Sequence, residues 1–281
     1  MREKIIPIYS GKPEEFVWVG FGSGSGTNLR ECAKKIKPKA IFTDNPEAKL
    51  LELKEFEGIP LFCLKGDDFK GKSKTFNERI LEILKSIEDE LGKSIDLIVL
   101  GGYMRLIRDP LLSNYKDKII NVHPADLSIM DYYLGENKID IDEIKLYDNE
   151  RKKSVSAVRK YIGDNAVYEA IKSGERTTKS SVIIVDQKTD HGEILTQGPL
   201  LAVSDNFLEL SPEEKERQLR DYAVKHQLKQ KEISDWPALT TALEMIANGR
   251  IALGTEKVYF NEWRRVYVDN KPLPYEGYQV E

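Results

Sequence analysis

Phe16-Val17-Trp18-Val19-Gly20-Phe21-Gly22-Ser23-Gly24-Ser25-Gly26-Thr27-Asn28-Leu29 is the stretch that decides the fold. Its first six residues form a continuous apolar run, the pattern of a strand buried on both faces of a parallel sheet. Glycines alternate from Gly20 to Gly26, and helical spacing follows from Leu29 to Ile36. Strand, glycine loop and helix in that order make an anion nest. The glycines let the backbone approach a phosphate, whose charge then faces N–H groups and the positive end of a helix. Ser25, Thr27 and Asn28 add side-chain donors, so Gly24, Ser25, Gly26, Thr27 and Asn28 are candidate phosphate ligands. The loop is not a P-loop, because no Gly-Lys-Ser/Thr follows, and its alternating glycines fit G-x-G-x-x-G poorly.

The pattern repeats outward from this stretch. A second strand is expected over Lys39–Thr43, with Asn45-Pro46 starting a helix, and a third strand over Pro60–Leu64. Residues 66–74 read as a polar loop. Phe76, Ile80, Ile83, Leu84 and Ile87 then recur at helical spacing up to Gly92. Ile95–Leu100 is the most apolar strand, ending in Gly101-Gly102-Tyr103-Met104-Arg105-Leu106-Ile107, and a short helix at Asp109–Asn114 precedes a strand at 118–122. Such alternation predicts an α/β fold with a doubly wound, mostly parallel, Rossmann-like sheet, whose ligands bind beyond the carboxyl ends of the strands.

The last of these strands carries chemistry. In Ile119-Ile120-Asn121-Val122-His123-Pro124, residues i and i+2 share a face, so Asn121 and His123 leave the strand end together, an amide donor beside an acid/base group. Pro124 lacks an N–H and stops the ladder there.

Composition narrows the classes. The 281 residues are 40% hydrophobic and 32% charged with a formal net charge of −4, so no basic footprint for nucleic acid exists. No run reaches the ~18 apolar residues of a membrane helix, and Met1-Arg2-Glu3-Lys4 leads into no signal-peptide segment. Cys32 and Cys63 lack metal spacing and read as buried thiols of a reducing cytoplasm, and three histidines are too few for a histidine-rich metal site. Residues 1–15 read as an extension. Residues 129–160, weakly periodic and charged, read as an inserted lid or interaction segment within a domain over 16–205. Further on, a helix is expected at Ala166–Ile171 and a strand over Lys179–Val185. That strand runs into Asp186-Gln187-Lys188-Thr189-Asp190-His191-Gly192, with Glu193–Gln197 extended. Residues 206–281 are expected to add helices at Pro212–Lys225 and Pro237–Ala247 and a hairpin from 257–260 and 265–268, packed on the same domain.

Ser23-Gly24-Ser25-Gly26-Thr27-Asn28-Leu29, Gly102-Tyr103-Met104-Arg105, Asn121-Val122-His123-Pro124 and Asp190-His191-Gly192, in that order, resemble the formyltetrahydrofolate-dependent formyltransferases. The loop and the ending Leu273-Pro274-Tyr275-Glu276-Gly277-Tyr278 resemble the glycinamide branch of purine synthesis. The resemblance implies N10-formyltetrahydrofolate as co-substrate, no metal, and a small phosphorylated amine as acceptor. It implies Asn121, His123 and Asp190 as catalytic residues, with Met104, Arg105, Leu106, Ile107, Val185 and Asp186 lining a folate pocket. Small-molecule partners in the cytoplasm, without nucleic acid or membrane, follow, and a homodimer is one assembly open to the chain. Departures from the family pattern leave the acceptor open. Ile183 stands where a histidine is common, and Lys225-His226 stands where Glu-His is frequent near the acceptor ribose. A different phosphorylated amine or sugar amine, or water as in a formyltetrahydrofolate hydrolase, are the alternatives.

Overall fold

A short strand β1 (Ile5–Pro7) precedes the first apolar run. Five apolar runs then become β2 (Trp18–Phe21), β3 (Ala40–Thr43), β4 (Leu61–Cys63), β5 (Leu97–Leu100) and β6 (Ile119–His123), all parallel. The computed structural model describes residues 3–140, 155–204 and 212–281. Across the sheet the order is β4-β3-β2-β5-β6, so the chain reverses its direction of winding between β2 and β5. Ligands of open α/β sheets bind beyond the carboxyl ends of the strands at such a switch.

Helix Ser73–Leu91 covers one face of this sheet. Its Phe76, Ile80, Leu84 and Ile87 are buried against Val19, Phe21, Phe42 and Ile98, and Gly92 at φ 62° closes it in the left-handed region. On the other face, helix Thr27–Lys35 and helix Trp236–Ala247 pack together, so Leu29, Cys32, Leu239 and Leu243 share one core with Trp18 and Val99.

Beyond β6 the chain departs from simple alternation. β7 (Met130–Leu134), β8 (Asn137–Ile139) and β9 (Val155–Arg159) form a separate antiparallel sheet in the order β8-β7-β9. The expected lid at 129–160 is thus strand-built at both ends, while 141–154 lie outside the described residues. After β10 (Thr177–Thr178), β11 (Ser181–Ile184) enters the main sheet antiparallel to β6, with Ser181 opposite His123 and Ile184 opposite Ile120. The reversal has a topological cause: β11 starts level with the carboxyl end of β6 and runs back toward its start. β12 (Ile194–Gln197) pairs antiparallel with β11, so the eight-stranded sheet is mixed toward that edge, and β13 (Leu201–Ala202) pairs with β10.

The terminal hairpin is β14 (Ile251–Tyr259) with β15 (Trp263–Val268), extended by β16 (Lys271–Pro272). β1 adds to β14, so the amino-terminal extension is a sheet strand, and β17 (Tyr278–Gln279) completes the main sheet beside β12. Helix Pro212–Gln230 outruns its expected end at Lys225 and continues through a π-helical turn, Lys231–Asp235, into Trp236–Ala247. Pro237 has no N–H to donate, and the π-turn immediately before it takes up the break in the α ladder.

Two local expectations fail. No α-helix starts at Asn45-Pro46; turns and short 3-10 segments, Lys49–Glu52 and Lys54–Phe56, occupy that connection. The Asn45 side chain explains this, since its Oδ1 accepts the Glu47 N–H (3.0 Å) and its Nδ2 donates to Ser23 O (3.1 Å), an Asx turn in place of a helical start. Cys32 is buried as expected, but Cys63 is exposed, on the same open face of the edge strand β4 as Leu61.

Candidate active site

The carboxyl ends of β2, β5 and β6, with the loop after β11, enclose a cleft of about 410 Å³. The candidate catalytic, phosphate and folate residues line it: Gly24 to Asn28 from the glycine loop, Met104 to Ile107 from the turn after β5, Asn121 and His123 from β6, and Val185, Asp186 and Asp190 from the loop after β11. The volume is in the range of small-molecule sites.

Gly26 is the N-cap of its helix at φ 69°, and a Cβ there would lie 2.5 Å from the Leu50 Cβ. Both the left-handed backbone and the close approach demand glycine. Ser23 ties this loop to the turn after β5: Ser23 N–H donates to Gly102 O (3.0 Å), and Ser23 Oγ accepts the Met104 N–H (3.0 Å) while donating to Asp44 Oδ1 (2.5 Å). Arg105 Nε donates to Asp44 Oδ2 (2.7 Å) and Nη2 to Asp67 (3.3 Å), so its charge is committed to the cleft wall. Asp44 is therefore the knot between the two loops, and sequence reading passed over it. Asp44→Ala is expected to cost about 1–2 kcal/mol of stability, seen as a lower urea midpoint, because it removes the acceptor shared by Arg105 and the Ser23 hydroxyl and leaves Arg105 only its longer contact to Asp67.

Asn28 is buried, with its Nδ2 3.5 Å from Asp235 Oδ2 and its Oδ1 lacking a hydrogen-bond partner. Asp235 also accepts from Ser180 Oγ (2.5 Å). Burial raises the Asp235 carboxyl above its ordinary value, against the opposing pull of those two donors and of nearby Lys231 and His123.

His123 is 4% exposed and fixed on both sides of its ring. Nε2 lies 2.9 Å from Tyr161 O, and Nδ1 lies 3.3 Å from Asp190 Oδ2. A doubly protonated ring donates to both acceptors, whereas a neutral ring donates to one. Asp190 stands at φ 48°, and its Oδ2 also accepts the Gly163 N–H at 2.9 Å. Asn121 shares the cleft, and the register sets Ile183 opposite it in the antiparallel pair.

Leu106, Ile107 and Val185 give the far end an apolar wall, with Met104 and Leu106 well exposed. Arg108 Nη1 donates to Gln187 O (2.6 Å), spanning from the turn after β5 to the loop after β11. Asp186 faces its own loop, accepting from His191 Nδ1 (2.6 Å) and from the Lys188 N–H (2.9 Å). Burial raises its carboxyl, but the His191 and Lys188 hydrogen bonds and the nearby His191 and Arg159 charges outweigh that and hold it below its ordinary value.

The Lys225-His226 pair does not reach the cleft. Lys225 is exposed, and His226 is buried with Nε2 2.7 Å from Thr178 Oγ1. Burial lowers the His226 imidazole, with Lys229 adding to the effect. The cleft is instead lined by Gln227, Lys231 and Asp235, the last two supplied by the π-turn, which shifts the helix face presented to the site. The signal in the sequence was the polar spacing 227, 231, 235, one residue per turn.

A family model described as formyl transferase matches residues 18–139. The phosphoribosylglycinamide formyltransferase of Bacillus subtilis is 29% identical over 184 residues, covering 63% of this chain and 75% of that protein. Among solved structures, the phosphoribosylglycinamide formyltransferase of Coxiella burnetii in complex with CHES superposes with a TM-score of 0.60 at 22% identity, over 95% of this chain and 99% of that one. Glycinamide ribonucleotide transformylase 1 of Geobacillus kaustophilus superposes with a TM-score of 0.52 at 27% identity, over 83% and 98% respectively.

Proposed function

We propose that this chain, which matches a formyl transferase family model over residues 18–139, transfers the formyl group of N10-formyltetrahydrofolate to the amine of glycinamide ribonucleotide, a step of purine synthesis. The observation that carries this reading is the convergence of a glycine nest and the Asn121/His123/Asp190 set in one cleft. The backbone N–H groups at Gly24–Asn28 would hold the acceptor's phosphate at the helix start. The buried Asn28 Oδ1 would then accept a hydrogen bond from a donor on that substrate. The cleft also fits the folate: Leu106, Ile107 and Val185 offer apolar surface for a flat ring, and backbone groups of both loops offer polar partners at its edge.

The chain's own residues supply the rest. The attacking amine develops negative charge on the formyl oxygen; the Asn121 amide N–H would donate to it, and His123 would do so through whichever ring nitrogen substrate binding frees from Tyr161 O or Asp190. Each such donor contributes roughly 3–4 kcal/mol to lowering the barrier. Asp190 holds the imidazole through Nδ1 and can orient a water that carries the amine's proton to the departing folate nitrogen.

The test is an assay of purified protein with glycinamide ribonucleotide and N10-formyltetrahydrofolate, following release of the free folate, with an amine-free control. Amine-dependent release is the expected result. Release without amine would mean hydrolysis, and no release would mean another acceptor, to be sought among phosphorylated amines and sugar amines.

A further inference from the structure

The strand that leaves the inserted sheet touches the candidate catalytic pair at three alternate residues. Arg159 closes β9 and donates from Nη1 to Asp190 O (2.5 Å) and from Nη2 to Gly192 O (2.9 Å). Two residues on, Tyr161 O meets His123 Nε2 (2.9 Å), and two further on the Gly163 N–H meets Asp190 Oδ2 (2.9 Å). Arg159 is only 5% exposed, its Nε donates to Tyr275 Oη (2.8 Å), and its guanidinium lies 5.2 Å from the Trp263 ring centre and 5.6 Å from that of Tyr275. We propose that Arg159 is a positioning residue: it clamps the Asp190–Gly192 backbone so that the Asp190 carboxylate meets His123. The proposal rests on the formyl-transfer reading of that pair.

The chemistry favours a directional role over a space-filling one. These hydrogen bonds go to a phenol and two carbonyls, with no carboxylate among them, and burying a cation on such terms is costly compared with an apolar plug. What the guanidinium offers is a rigid fork that grips the two carbonyls flanking His191 at a fixed spacing. That grip holds the loop in which Asp190 stands at φ 48°, a left-handed state uncommon for residues other than glycine but open to aspartate in a tight turn. Trp263 reinforces the same loop by donating its indole N–H to His191 O. Tyr275, in the chain's closing Leu273–Tyr278 segment, acquires a role as the anchor of the Arg159 fork.

The experiment is a double-mutant cycle between Arg159→Gln and Asp190→Asn, with Arg159→Lys as the conservative variant. Arg159→Gln is expected to lower kcat about 100-fold with KM for both substrates within about threefold, as a carboxylate displaced by an ångström would. Arg159→Lys, a point donor without the fork, recovers only part of that loss. Adding Arg159→Gln to Asp190→Asn is expected to change kcat by no more than about threefold, because the carboxylate it positions is already gone. Losses that multiply, or an Arg159→Gln enzyme within about threefold of wild-type kcat, would overturn the proposal. Wild-type protein inactive with glycinamide ribonucleotide would refute the formyl-transfer reading instead. The clamp is then read without turnover from the His123 ring nitrogen resonances. A move in Arg159→Gln toward their Asp190→Asn positions supports it, and unmoved resonances overturn it.

Discussion

His123→Ala is expected to lower kcat by about 10³-fold or more, a barrier increase of about 4 kcal/mol, while substrate binding stays within severalfold of wild type. Three features place the loss in the chemical step. His123 is buried in the cleft wall between Asn121 and the Asp190 loop, on β6 and apart from the glycine loop and the apolar residues proposed for phosphate and folate. Both ring nitrogens are oriented, by Tyr161 O and Asp190 Oδ2, so no conformational entropy is lost when charge develops beside the ring. Removing the ring also strands the carboxylate it meets, so Asp190→Asn should share much of the effect and the double variant should fall short of the product. Steady-state kinetics with circular dichroism as a control on folding measure this. A His123→Ala enzyme within tenfold of wild-type kcat would remove the imidazole from the mechanism.

Gly192→Ala is expected to have the largest effect on stability, a loss of about 3–5 kcal/mol, or roughly 6–15 °C in Tm for a chain of this size. A Cβ at this position would lie 1.7 Å from Ile184 O and 2.7 Å from its carbonyl carbon, backbone atoms of a central strand that have no rotamer to change. Relief requires pushing the 186–192 loop off the end of β11. That movement would break the Ile184 N–H bond to Glu193 O and the Arg159 grip on Gly192 O. Activity should therefore fall even below the melting transition. Differential scanning calorimetry and kcat at 25 °C test both halves. An unchanged Tm would show that the loop yields freely.

The parallel half of the sheet and the cleft were legible in the sequence because local pattern and tertiary environment agree there. Trp18–Phe21 and Leu97–Leu100 read as buried strands and are buried on both faces, and the glycines between β2 and the next helix mark a loop that forms as read. Asp190 was legible through its neighbour Gly192, whose need for glycine comes from one backbone contact. Less was visible where side chains redirected the backbone or where distant segments met. Asn45 turned an expected helix into an Asx turn, and the antiparallel entry of β11 depends on where the inserted sheet leaves the chain. Val155–Arg159 does alternate buried and exposed, but five residues ending in arginine carry a weak signal. Arg159 had no signal of its own within the charged 129–160 stretch. The stacking of Trp263 and Tyr275, more than a hundred residues away in sequence, helps make it an interior residue.

The shared core of helices Thr27–Lys35 and Trp236–Ala247 bears on how the molecule assembles. Leu29 and Cys32 are covered by residues some two hundred positions later, and Asn28 in the glycine loop meets Asp235 across 207 residues of sequence. Contacts of that separation incur a large loop-closure entropy before they return any stability, so they form late in folding. During synthesis the first strand–loop–helix unit emerges early but lacks its cover until the far helix leaves the ribosome. The nest therefore matures late, although its sequence is made early, and in the interval its apolar underside is open to chaperones or to aggregation.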